Sequence, residues 1–343
     1  MALKIEFTDK EITPWGGMSL LKRLIEETKI NEELLLASLP EQGSNRGYDP
    51  IQLINNFWVS IWCGANRFEH LEVTRQDKVL QDLFGWKTMA GHKAFARYFK
   101  KFTQATNQQV FGRLFKWFFQ QLTFDRYTLD LDSTILTRYG EQEGAKRGYN
   151  PSKPGRKSHH PLLAVIAECR MVVNGWLRSG NSHTANNFAA FLEDTLSRLE
   201  GKMIGLLRAD SGFFDAEILG NLENRTTPIN YIIAVKFYAP IQRAIAAREG
   251  WTTLVEGIEI KELMYQALGW DAPRRIVAVR QHLEQRPKAG GKQLPLFADH
   301  SSPMKHCIRI IGTVRTLRIL ICHRRRSGNS IGIEPMQKTE LKS

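Results

Sequence analysis

The sequence predicts an α/β protein built on a mixed sheet, with an all-helical domain before it and a β-rich insertion after it. Three observations predict this. Apolar residues recur at helical spacing from Ser19 to about Gln121, a two-residue period and strand-length apolar runs take over after Phe124, and shorter strand-like runs occupy about Lys236 to Gln293. Strands alternating with helical segments imply a mixed sheet covered by helices. At 343 residues the chain exceeds the usual length of one core. The expected divisions are 1–122, 123–235, 236–297 and a tail over 298–343.

In the first division the sets Leu20-Leu21-Leu24-Ile25, Ile51-Leu53-Ile54-Phe57-Trp58-Ile61 and Val110-Phe111-Leu114-Phe115-Trp117-Phe118-Phe119 each form one apolar stripe of a helix. Residues 91–102 mix Lys93, Arg97, Lys100 and Lys101 with aromatic side chains on a short helix. Two readings stand for it: a helix docked on phosphates, and an amphipathic helix with a solvated basic face. Strands are expected over 127–132, 162–167, 171–173, 204–210 and 231–235, with helices between 184 and 199 and from near Ser211. In the insertion 275–279 reads as a strand and 286–292 as a polar loop, and the last forty or so residues lack amphipathic order.

Composition narrows the function. Apolar residues at 42% and charged residues at 24% suit a globular core and exclude wholesale disorder. Lysine and arginine number 48 against 35 acids, a net charge of +13 that favours a polyanionic partner, nucleic acid first among them. No apolar run reaches the roughly 18 residues of a membrane helix, and Met1-Ala2-Leu3-Lys4-Ile5-Glu6 lacks a signal-peptide core, so a soluble cytoplasmic protein without a membrane partner is expected. Cys63, Cys169, Cys307 and Cys322 form no CxxC pair, which fits a reducing compartment.

The candidate chemistry lies in acids at strand ends. In Leu129-Asp130-Leu131-Asp132-Ser133-Thr134 the strand period puts Asp130 and Asp132 on one face and the leucines on the other. Asp210 ends a second strand in Leu206-Leu207-Arg208-Ala209-Asp210-Ser211-Gly212. Adjacent strand ends could hold Mg²⁺, and two such ions roughly 3.5–4 Å apart activate water and stabilise the leaving oxygen of a phosphodiester. Capping by Asp210 and an ion pair of Asp130 with Arg126 or Arg138 are the plainer readings. Residues 148–161 gather turn formers with Lys153, Arg156, Lys157, His159 and His160, a loop suited to gripping a phosphate backbone. Neighbouring histidines rarely point at one ion, so His159 and His160 are not expected as metal ligands. Trp251 and Trp270 could stack on an unpaired base or simply pack.

Several motifs together resemble insertion-sequence transposases with a DDE catalytic domain, of the group with a Tyr-Arg-Glu-Lys signature. They are Arg46-Gly47-Tyr48-Asp49-Pro50, Leu129 to Thr134, Gly148-Tyr149-Asn150-Pro151, Gly155-Arg156, His160-Pro161-Leu162-Leu163, Gly180-Asn181, Arg208 to Phe213 and Leu294-Pro295-Leu296-Phe297. The resemblance implies a ribonuclease-H-like core over 123–235 with a helical DNA-binding domain before it. Asp132 looks like the first catalytic acid and Asp210 like the second, with Asp130 as rival for the first place and as a further metal ligand. Two Mg²⁺ ions, or Mn²⁺ as substitute, would serve cleavage of transposon ends and strand transfer into target DNA. DNA contacts would come from Lys153, Arg156, Lys157, Lys93, Arg97, Lys100 and Trp251. The partners implied are double-stranded DNA, as transposon ends and target, and a second copy in a homodimer on DNA at the nucleoid.

The family's third acid is a glutamate in Tyr-x₂-Arg-x₃-Glu-x₆-Lys, and this chain has no such motif; Glu334 and Glu340 lack its spacing. Read from the third base of each codon, residues 330–343 permit Tyr-Arg-Asn-Arg-Ala-Asp-Ala-Glu-Asn-Arg-Ile-Lys-Glu, with the glutamate straddling Gln337 and Lys338 and an alanine forced across Met336 and Gln337. Residues 310–320 likewise permit Tyr-Arg-Tyr-Ser-Ala-Tyr-Val-Thr-Asn-Leu. We therefore expect a frameshift between about Phe297 and Ile310, impaired cleavage, and weak or irregular structure beyond it, because such a tail was never selected to pack. A non-catalytic remnant that occupies transposon ends is the alternative function.

Overall fold

Asp49 followed by Pro50 starts a helix by two separate means. The Asp49 carboxylate accepts from the Ile51 and Gln52 N–H groups at 2.9 and 3.0 Å, and Pro50 sits in the first turn, where its missing N–H leaves no gap. The computed structural model describes residues 9–123, 126–199, 201–236, 238–247, 249–281 and 319–322. It divides into two units, Met1–Thr123 and Phe124–Ser343.

The first unit is helical among its described residues: α1 Met18–Thr28, α2 Ile30–Leu36, α3 Pro50–Trp62, α4 Leu71–Arg75, α5 Lys78–Phe84, α6 His92–Phe99 and α7 Gln104–Gln120. Asp77 caps α5 through the Leu80 N–H at 2.9 Å, and Thr103 caps α7 through that of Thr106 at 3.1 Å. The expected stripes converge on a core that includes Leu34, Leu53, Phe95, Tyr98, Val110 and Leu114. Each such side chain contributes about 1.5–3 kcal/mol on burial. Helix α6 buries Phe95 and Tyr98 while Lys93, Arg97 and the C-capping Lys100 are exposed. Its N-terminus is closed from α4, where Glu72 accepts from the His92 backbone N–H at 2.8 Å and the His92 ring at 2.6 Å. Those two bonds, with Arg75, lower the Glu72 pKa to about 2.

The second unit contains β1 Arg126–Ser133, β2 Leu136–Thr137, β3 Lys146–Arg147, β4 Lys157–His159, β5 Leu162–Ile166, β6 Met171–Trp176, α8 Phe188–Arg198, β7 Met203–Ala209, α9 Ala216–Glu223, β8 Tyr231–Ala234, α10 Ala239–Ala246, β9 Thr252–Val255, β10 Ile258–Tyr265, β11 Arg274–Gln281 and β12 Ile319–Cys322. One sheet runs β6-β5-β1-β7-β8-β12-β11-β10-β9, and a second runs β2-β4-β3. Among the described residues only the pairs β1–β7 and β7–β8 are parallel, and they lie within the larger sheet. The first five strands, with β5 antiparallel to β1, form the expected ribonuclease-H-like mixed sheet. Tyr127, Leu129 and Leu131 of β1 are buried, as are Leu162, Ala164 and Ile166 of β5, and Phe188, Phe191 and Leu192 bury the apolar face of α8.

Four expectations need correction. The helix expected from Ser211 is a single 3-10 turn, Ser211–Phe213, and α9 begins later because Asp215 caps it through the Glu217 N–H at 2.9 Å. Residues 148–161 are not loop throughout: β4 pairs with β2 and β3. The strands of the insertion are not all short, since β10 and β11 have 8 residues each, and α10 precedes them. Lastly, β12 departs from the irregular tail expected; its run Ile319-Leu320-Ile321-Cys322 is apolar and partly β-branched, and it pairs with β8 on one side and β11 on the other. The remainder of the expected tail, residues 298–318 and 323–343, lies outside the described residues.

Candidate active site

Pairing in the central sheet brings the two acids together. Parallel β1 and β7 align Asp130 with Arg208 and Leu131 with Ala209, so the next step sets Asp132 beside Asp210. Neighbouring strands lie about 4.8 Å apart. Burial alternates along β1, with Tyr127, Leu129 and Leu131 inward, so Asp130 and Asp132 share the opposite face. The charge of Asp132 is felt at Asp210, whose pKa is raised. Loss of solvation is the larger cause and Asp132 adds to it, while the Gly212 N–H, Lys236 and His160 act the other way. Asp210 is exposed by accessible area, yet protein crowds its carboxyl enough to weaken hydration of the anion.

Asp130 and Asp132 differ in what holds them. Arg208 grips Asp130 as a fork, Nε to Oδ1 and Nη2 to Oδ2, both at 2.6 Å. Its partner is thus Arg208 rather than Arg126 or Arg138. Asp132 accepts only the Ser133 N–H at 2.8 Å and Asp210 only that of Gly212 at 2.8 Å, among the described residues. Both therefore retain acceptor capacity, and the cap that Asp210 supplies serves the 3-10 turn alone.

Polar groups not singled out from the sequence for this role surround the pair. The Ser133 hydroxyl lies 3.1 Å from His160 Nε2 and 3.1 Å from Thr184 Oγ1. His160 Nδ1 is 2.7 Å from the Ser182 carbonyl, which can only accept, so Nδ1 carries a proton and the ring is held with Nε2 toward Ser133. Arg178, buried and with its pKa lowered by burial, donates to the carbonyls of His160, His183 and Asn186 and so fixes the 183–186 turn that carries Thr184. A Cβ at Gly212 would lie 2.9 Å from Asp210 Oδ1 and 3.0 Å from Thr184 Cγ2, so a side chain there would press on the Asp210 carboxylate. No sequence signal joins Ser133 to partners 27 and 51 positions away.

Two hard carboxylates with unused oxygens, backed by hydroxyls, are donors suited to Mg²⁺. No cluster of three or more His, Cys, Asp or Glu able to hold an ion occurs among the described residues. The segment in which the third acid was expected lies outside them.

The remaining sequence candidates fall elsewhere. Lys153 and Arg156 are exposed near the three-stranded sheet, where Arg156 lies over the Tyr139 ring at 5.6 Å and Lys157 pairs with Glu141. Lys93, Arg97 and Lys100 belong to the helical unit. Trp251 is half-buried, with Arg280 4.3 Å and Lys261 5.5 Å from its ring centre. Trp270 packs against Phe214 and Tyr265 with Arg274 over it at 4.8 Å. Both indoles are thus engaged by neighbours. His159 and His160 turn to separate partners, Arg138 with the Glu143 carbonyl and Ser133 with the Ser182 carbonyl.

Comparison with known proteins gives one family: a model described as transposase DDE domain group 1 matches residues 1–289. No curated protein matches the chain. Similar solved structures include a piggyBac transposase synaptic complex with hairpin DNA, at 12% identity and a TM-score of 0.43, covering 92% of this chain and 62% of that one. A Drosophila P element transposase strand transfer complex is similar at 8% identity and a TM-score of 0.31, covering 66% of this chain and 49% of that one. The chain thus spans less than two thirds of the length of either.

Proposed function

The chain belongs to the transposase DDE domain family, and from that premise we propose that it is an insertion-sequence transposase that acts on double-stranded DNA. The reaction is Mg²⁺-dependent cleavage at transposon ends followed by strand transfer, both in-line phosphoryl transfers. The observation that carries this reading is the meeting of Asp132 and Asp210 at the ends of adjacent parallel strands, close enough for one charge to raise the pKa of the other. Asp130 is left out of the ligand set because Arg208 already neutralises it.

Asp132 and Asp210 would hold Mg²⁺, with Mn²⁺ as substitute, and the bound metal supplies charge stabilisation and an activated oxygen nucleophile. The chain's own groups do the rest. Ser133, His160 and Thr184 hold the end of β1 in place, so Asp132 needs no rearrangement to meet a ligand. Lys236 contributes positive potential beside Asp210, where a scissile phosphate would add negative charge. Lys153, Arg156 and Lys157 contact the DNA backbone near the site, and Lys93, Arg97 and Lys100 contact it from the helical unit, with a homodimer pairing the two ends at the nucleoid. Without the third carboxylate cleavage is impaired, while phosphate contacts, which depend on lysine and arginine, persist.

Incubation of the protein with a labelled duplex carrying the terminal sequence that flanks the gene tests this. Slow nicking with Mg²⁺ or Mn²⁺, abolished in Asp132→Ala and Asp210→Ala while gel-shift binding persists, is expected. Binding without nicking under any divalent ion would instead support a remnant that occupies ends, and absence of both would overturn the assignment.

A further inference from the structure

A second feature lies in the same unit as the paired aspartates. The small sheet β2-β4-β3 forms one wall of a cleft of about 380 Å³ lined by Arg138, Tyr139, Glu141, Arg147, Arg156 and Lys157, among others. Four cations face one carboxylate, and Glu141 is already paired with Lys157. Tyr139 is 72% exposed, with the Arg156 guanidinium over its ring.

The cleft is built rather than incidental. Arg138 Nε donates to His159 Nδ1 at 2.9 Å, and an arginine cannot accept, so the ring proton must sit on Nε2, from which it is donated to the Glu143 carbonyl at 2.9 Å. His159 is buried and thereby orients a guanidinium at the cleft. Backbone packing fixes the sheet itself. A Cβ on Gly148 would lie 1.9 Å from the Gly180 carbonyl oxygen, and one on Gly180 would lie 2.3 Å from Ser158 Oγ, so the two segments meet with no room for side chains.

Position ties the cleft to the acids. Asp132 and Arg138 are six residues apart, which limits their Cα separation to roughly 20 Å even in a fully extended chain. Phosphates of one duplex strand are spaced about 3.4 Å along the axis, so the cleft is within reach of DNA about six nucleotides from the cut. A positive groove with an exposed aromatic face is the arrangement that holds an unpaired nucleotide, the cations taking phosphates and the ring taking the base.

We propose that this cleft binds a single-stranded segment of the cleaved end, with Arg138, Arg147 and Arg156 on its phosphates and a base stacked on Tyr139. The proposal rests on the reading of the chain as a transposase but is measured apart from cleavage. The full-length protein is mixed, in EDTA, with single-stranded oligonucleotides of the terminal sequence carrying 5-iodouracil at successive positions, irradiated, and mapped by peptide mass spectrometry.

A crosslink at Tyr139 from positions within about six nucleotides of the cut is expected. Tyr139→Ala should weaken single-strand binding roughly tenfold, and Tyr139→Phe should keep it. Removing Arg138, Arg147 or Arg156 should each lower the salt slope by about 0.7. Crosslinks confined to other residues with unchanged Tyr139→Ala affinity, or equal crosslinking of a fully paired duplex, would overturn the proposal. Because EDTA holds cleavage off, a Tyr139 crosslink without nicking in Mg²⁺ would sink only the catalytic reading, and nicking without the crosslink only this one.

Discussion

Replacing either aspartate by asparagine should stabilise the protein when no divalent ion is present. Asparagine keeps an acceptor for the Ser133 or Gly212 N–H and removes only the charge. Two unit charges about 5 Å apart repel by roughly 1 kcal/mol in water and by 3–4 kcal/mol at an effective dielectric constant of 20. Both residues are solvent-exposed, so the lower figure applies. The sign follows from the raised pKa of Asp210: the folded state holds that proton more tightly than the unfolded chain, so stability falls as pH rises from the ordinary aspartate value through the raised one. The repulsion is therefore felt on the alkaline side of that window. Urea unfolding in EDTA at pH 7 should then show Asp132→Asn and Asp210→Asn each gaining about 1 kcal/mol, or roughly 2–4 °C in Tm. The double variant should gain hardly more than either single one, a coupling of about 1 kcal/mol. Added Mg²⁺ should stabilise the wild type alone. Additive effects, or a loss of stability in either single variant, would refute the placement of the two carboxylates side by side.

Three further outcomes are expected. Asp130→Ala should cost about 1 kcal/mol, the fork being partly exposed, yet leave the Mg²⁺-dependent rise in Tm intact; loss of that rise would return Asp130 to the ligand set. Gly180→Ala should destabilise the second unit by more than about 3 kcal/mol in denaturant titrations, because its new carbon would lie 2.4 Å from the Ser158 carbonyl oxygen, and an unchanged midpoint would contradict that packing. Glu72→Gln should be less stable than wild type at pH 7. A carboxylate whose folded pKa is lowered to about 2 contributes fully above its ordinary value, so the deficit should vanish as acid titration proceeds from about 4.5 to about 2, read by circular dichroism.

A two-residue period in the sequence located β1, and strand-length apolar runs located β5 and β7. They missed β4 because Pro151, Pro154 and Gly155 dominate its surroundings and three strand residues carry no period of their own. The strand period alone did not separate Asp130 from Asp132, both being on the polar face of one strand, and only the family resemblance favoured Asp132. What separates them is Arg208, which only tertiary pairing brings near. His160 was set aside as a metal ligand, and its part in holding Ser133 had no local signature. The strand β12 was hidden for another reason: a tail without amphipathic order can still supply four apolar residues to two waiting edges.

The fork between Arg208 and Asp130 joins residues 78 positions apart. Pairing strands so remote in the chain is slowed by loop closure, and a slip of two residues would keep every leucine on its own face. One such slip strands the guanidinium opposite Thr128, and the other lets it capture Asp132 and leaves Asp130 bare. Correct alignment alone neutralises Asp130 and spares Asp132. Under the proposed function, competence for chemistry would be decided during assembly of the polypeptide, and a misthreaded molecule would be inert however well it bound DNA.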